Sequence, residues 1–185
     1  VSIIKWVGDA STGIPGTGAI PHGLSGAPDL MIQKRLDSSG NWWTGFNILD
    51  TSWDYLKLDD INAKGDESYA LWDADEISNW GAGTNHDFIA YVFKSIPGFS
   101  KVGIYEGNNN ANGTFVNCGF RPAYVLTKSV DNSTSRNWQV LDSTRDTDNP
   151  ASANLFPNLD NQESSYTTLD ILSNGFKLRS TGLNS

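Results

Sequence analysis

At 185 residues the chain can bury one sizeable core, and 11% aromatic and 18% charged residues with eighteen glycines exclude a disordered chain and a coiled coil. Thirteen basic against 21 acidic residues leave a net charge of −8, which repels phosphate backbones and anionic lipid and so argues against nucleic-acid and membrane partners. The one cysteine, Cys118, allows no internal disulfide and no cysteine-based metal cluster, and no apolar run reaches the roughly 18–20 residues that span a bilayer.

In chain order, the first predicted strand is 3-IIKWV-7. The loop 13-GIPGTGAIPHG-23 follows, and its glycines lack the strand-then-helix setting of a nucleotide site. Strands are expected next at 29-DLMIQKR-35 and 42-WWTGFNI-48, then around 54-DYLKLD-59, 69-YALWDA-74 and 87-DFIAYVFKS-95. Clusters of Gly, Asn, Asp and Ser between them supply turn geometry, and no segment carries a capped helical period. The pattern predicts an all-β protein, an antiparallel β-sandwich.

Two tryptophans stand side by side in 40-GNWWTGFNILD-50, and successive strand residues point to opposite faces. Trp42 should share the core face with Thr44 and Phe46, which leaves Trp43 on the other face with Gly45 and Asn47. Trp43 is then either covered by a loop or neighbouring strand or free as a contact surface. Trp43, Asn47, Trp53 and the amides Asn109 and Asn110 are the candidate ligand or interface residues.

The chain reads as a duplication. The opening 2-SIIKWVGDASTG-13 is answered by 100-SKVGIYEGNNNANG-113, and 21-PHGLSGAPDLMIQKR-35 by 117-NCGFRPAYVLTKSVD-131. Gly8 matches Gly107, Lys34 matches Lys128 and Trp42 matches Trp138, while Trp43 meets Gln139; 75-DEISNW-80 is set against the run that begins at Asp170. The repeats divide at about 97/98, and the short junction 94-KSIPGFSK-101 favours a single sandwich over 1–185 built from both. The second copy stops at Ser185 before any counterpart of 87-DFIAYVFKS-95. That predicts a piece of a longer protein, a fold that closes without the strand, or a place filled by a strand of another subunit.

Chemistry-bearing residues are sparse. The two histidines, His22 and His86, sit in no catalytic pattern and read as turn or strand-start residues. In the acidic run 59-DDINAKGDESYALWDADE-76, Asp73, Asp75 and Asn79 fit the first, third and seventh places of a calcium loop, but Ile77 and Ser78 spoil the fifth and sixth. Solvated loop charge is the default, no cofactor is expected, and calcium is the one cation with any case. Surface loops such as 107-GNNNANGT-114 combine amides with nearby aromatics, a composition compatible with glycan binding. The sequons at Asn112 and Asn132 matter only in a secretory pathway.

The stretches 22-HGLSGAPDLMIQKR-35, 88-FIAYVFKSIPGFSKVGIYEGN-108, 117-NCGFRPAYVLTKSVD-131 and 171-ILSNGFKLRST-181 resemble a duplicated β-sandwich domain of structural and tail-associated proteins of tailed bacteriophages, especially marine and cyanobacterial phages. The resemblance covers nearly the whole chain. It implies a jelly-roll or concanavalin A-like sandwich in a virion component, on a tail fibre or as a capsid decoration, non-enzymatic and homo-oligomeric with other virion subunits. Contact with host-surface glycan is part of that expectation. The alternative is a carbohydrate-binding module or glycan-cleaving domain outside a virion. Two departures stand out: the short end, and a tryptophan-rich first copy that points to a specialisation around Trp43.

Overall fold

The computed structural model describes residues 1–8, 20–49, 53–67, 71–78, 85–131 and 136–183. They form strands and turns only, in antiparallel sheets packed as β-sandwiches. The residues gather into two compact units, 1–60 with 64–95, and 61–63 with 96–185.

The first unit holds β1 (Ser2–Val7), β2 (Ile20–Pro21), β3 (Leu30–Arg35), β4 (Trp43–Phe46), β5 (Trp53–Lys57), β6 (Gly65–Glu67), β7 (Leu71–Trp72), β8 (Glu76–Ser78) and β9 (Asp87–Phe93). One sheet runs β1-β9-β3-β4-β5-β6 and a smaller one β2-β8-β7. Alternation decides which side is apolar: Met31, Ala90, Val92 and Trp53 project from the large sheet toward Trp72 and Ile77 of the small one. Ile4, Trp6, Leu24 and Tyr55 close the margins of that core.

The second unit holds β10 (Phe115–Asn117), β11 (Tyr124–Thr127), β12 (Gln139–Asp142), β13 (Ala151–Asn154), β14 (Ser164–Leu172) and β15 (Gly175–Leu178). Its sheets are β10-β15-β14-β13 and the pair β11-β12. Val125 and Leu141 from the pair meet Ala151, Leu169, Ile171, Phe176 and Leu178 from the larger sheet. Each of these side chains is nearly or fully buried, which at about 25 cal/mol per Å² makes the apolar layer the main favourable contribution within each unit.

Asparagine and arginine side chains extend the backbone ladders at the sheet ends. Asn149 donates its amide to Ile171 O at 3.0 Å and accepts from Ile171 N at 2.8 Å, as a strand peptide would. Arg145 reaches Asp142 at 2.6 Å, Glu163 at 2.7 Å and Ala153 O at 2.7 Å, tying the β12 end to β13. Buried Asn154 accepts from the Thr168 hydroxyl at 2.8 Å and donates to Tyr166 O at 3.0 Å.

Candidate functional site

Trp43 opens β4 and lies directly opposite Gln33 of β3 and Lys57 of β5. Partners across a ladder share a face, so Trp43 stands on the face that carries Tyr55, Met31 and Ala90. Its ring meets Tyr55 edge-on at 5.0 Å, and Lys57 Nζ lies 5.0 Å from the ring centroid. Trp43 thus stands half-buried on the core-facing side of its sheet, beside the strand that carries Tyr55, and not on the face away from the core as alternation within β4 had suggested. Tyr55 in turn lies across Gly65, where a Cβ would stand 2.4 Å from the ring.

Trp42 differs from the expectation of a core residue. It is half-buried just before β4, 6.5 Å from the Tyr91 ring and with Lys34 Nζ 5.9 Å from its centroid. Thr44 and Phe46, the residues that alternate with it, are buried. Trp42 N donates to Asp59 Oδ1 at 3.0 Å, and that carboxylate anchors the strand entry. Trp138, its counterpart in the sequence, is buried as expected.

The remaining candidate residues do not converge on Trp43. Asn47 is exposed beyond the end of β4. Trp53 sits at the opposite end of β5 from Lys57, 9% exposed and 3.9 Å from Trp72, so its ring is a core element and offers no face to a ligand. Asn109 and Asn110 are exposed in a loop of the second unit that its own amides hold. Asn108 Oδ1 accepts from Asn110 N at 3.0 Å and Asn110 Oδ1 from Asn112 N at 2.8 Å, with Asn109 at φ +52°. Asn79 and Asn132 lie outside the described residues.

The titratable groups serve the backbone or one another. His22 is buried; its Nδ1 accepts from Leu24 N at 3.1 Å, which leaves Nε2–H to donate to Asp73 O at 3.3 Å. Asp73 Oδ1 accepts from Asp75 N at 2.8 Å and Glu76 N at 2.9 Å, and these two bonds lower its pKa. The carboxylate that would have led a calcium loop is thus a turn cap. Among the described residues no group of three or more His, Cys, Asp or Glu side chains is placed to hold a metal ion.

One ionic cluster was not legible in the sequence. Arg35 Nε donates to Asp37 Oδ1 at 2.6 Å, Arg35 Nη2 lies 2.6 Å from His86 Nδ1, and the same nitrogen lies 2.8 Å from Asp37 Oδ2. Without a proton Nδ1 accepts from Arg35, and with a proton on it Nδ1 donates to Asp37. Arg35 foremost, then His86, holds the Asp37 carboxyl at about 2. The cluster exists because β3 pairs with β9, which carries the end of β3 to the start of β9. A family model for a domain of unknown function, DUF7483, matches residues 1–185. No curated protein and no solved structure matches the chain.

Proposed function

The chain belongs to that DUF7483 family, and on this premise we propose that it is a non-enzymatic structural domain of a tailed-bacteriophage virion, on a tail fibre or the capsid surface, that assembles with other subunits. The observation that carries the reading is the outer face of β1. Ile3 and Val7 are 62% and 61% exposed on a strand that stands at the margin of its sheet, beside exposed Val1. Val1, Ile3 and Val7 share that face with exposed Lys5 between the last two, and exposed apolar residues on an edge strand favour protein contact over solvent. The resemblance of the G-F-R-P-A and L-S-N-G-F-K-L-R stretches to phage tail-associated proteins supports the same reading.

Light scattering tests it. Purified 1–185 is expected to be a defined oligomer, and Ile3→Glu with Val7→Glu to be a folded monomer. A monomeric wild type would end the assembly reading. A second reading, glycan binding, is favoured by Trp42, whose half-buried ring pairs with Tyr91 beside Lys34 and offers a flat apolar surface for a sugar face. Binding on a glycan array that disappears in Trp42→Ala would establish it. Turnover of a polysaccharide that is lost on changing one acidic residue would overturn the non-enzymatic assignment.

A further inference from the structure

The two units share their strand registers. In the first, Leu30 faces Phe46, Met31 faces Gly45, Ile32 faces Thr44 and Gln33 faces Trp43. In the second, Tyr124 faces Asp142, Val125 faces Leu141, Leu126 faces Val140 and Thr127 faces Gln139, the same four rungs. The next ladder continues the match, with Thr44 opposite Leu56 and Val140 opposite Leu155. Even the strand entry is repeated: Trp42 N donates to Asp59 Oδ1 at 3.0 Å, and Trp138 N to Asn158 Oδ1 at 3.0 Å.

The smaller ladders agree as well. Trp72 pairs with Ile77 and Pro21 with Glu76, as Ile171 pairs with Phe176 and Asn117 with Gly175. His22 N donates to Asp75 O at 3.2 Å where Cys118 N donates to Asn174 O at 2.9 Å. The structure therefore sets Asp75 against Asn174, and not against Asp170 as the sequence match had it. A slip of one residue would turn every side chain to the other face, so agreement over several ladders means one shared arrangement.

Among the described residues one strand has no counterpart. In the first unit β9 lies between β1 and β3 and bonds both. In the second unit, the residues that match β1, 101–106, belong to no strand, and β11 has a strand partner on its β12 side alone among the described residues. The two ladders missing from the second unit are the two that β9 makes in the first. Tyr105 occupies the place of Trp6: Trp6 stacks on Phe88 of β9 at 5.4 Å, whereas Tyr105 meets Phe176 edge-on at 6.2 Å and bonds Leu183 O at 2.9 Å. The β1-like segment and β11 each expose a large apolar side chain, Ile104 at 51% and Tyr124 at 58%.

We propose that the open edge of β11 is an acceptor for one further antiparallel strand. Its occupant is an extended polypeptide segment from outside residues 1–185 with the chemistry of β9, apolar at alternate positions as Phe88, Ala90 and Val92 are. Backbone bonds to the edge supply affinity, and the alternate apolar side chains fix the register. Acceptance of the strand does not depend on the chain's being a virion component.

The test uses the whole chain and a capped synthetic peptide, DFIAYVFKS, with amide hydrogen exchange followed by NMR. Backbone amides within Tyr124–Thr127 should slow by about tenfold or more when the peptide is added at saturation. A peptide of the same composition with its alternation scrambled should leave them unchanged. The proposal is overturned if those amides do not slow, if the scrambled peptide protects them equally, or if protection appears only along β1 and β3. A monomer in light scattering would remove the assembly reading and leave this result standing.

Discussion

The Asp37 carboxylate gives the most direct test at the scale of single residues. Arg35 and then His86 lower its pKa from 3.8 to about 2 in the folded chain. A carboxyl depressed by folding contributes stability that is complete above its unfolded pKa and is lost as pH falls through the folded value. The urea midpoint of the wild type should therefore exceed that of Asp37→Asn at neutral pH, with the difference shrinking between about pH 4 and about 2. An equal difference across that window would show that the cluster does not hold the charge. Asp54 offers a second test: its side chain is fully buried, and Lys64 Nζ lies 2.5 Å from Oδ1. Replacing Lys64 by Met removes the cationic partner of a buried carboxylate and should cost about 3 kcal/mol, part of it recovered when Asp54→Asn is added, as urea titrations would show. Trp43→Gln should lower stability by about 1–2 kcal/mol through loss of the Tyr55 contact, with the assembly state unchanged in light scattering.

Among the elements, legibility followed the length of the apolar alternation. The strands β1, β3 and β9 were evident because Ile4, Trp6, Met31, Phe88, Ala90 and Val92 repeat at period two. The pieces β2, β6 and β8 are two or three residues long and carry no period, so only their partners define them. Alternation within one strand separated Trp42 from Trp43 but set them on the wrong faces, because pairing with Gln33 of β3 brings Trp43 to the side of Met31 and Ala90, where Tyr55 of the next strand meets it. The Arg35, Asp37 and His86 cluster stayed hidden for the same reason, because it depends on β3 meeting β9. Glycine is informative at one crossing. A Cβ on Gly175 would stand 2.0 Å from Val116 O, a backbone atom of the paired strand that cannot turn away. Gly175→Ala should push β10 from β15, costing about 2–3 kcal/mol, and the amides of Phe115–Asn117 should lose their exchange protection.

At the scale of the molecule, the described residues form strands and turns in packed antiparallel sheets, in agreement with the expectation of an antiparallel β-sandwich, and each unit carries an apolar layer of its own. The shared registers of β3·β4 and β11·β12 also bear on how the chain finds its structure. A chain with one β9 and two edges of equivalent register has one donor and two acceptors. During synthesis β3 and β9 emerge before β11 exists, so the vectorial order removes the competition. Dilution from urea restores it, because both edges are then present at once. Refolding from denaturant should accordingly pass through a trapped population with β9 docked on the wrong hairpin. Double-jump experiments would detect it as a slow phase that is absent when the chain is made in a cell-free translation reaction.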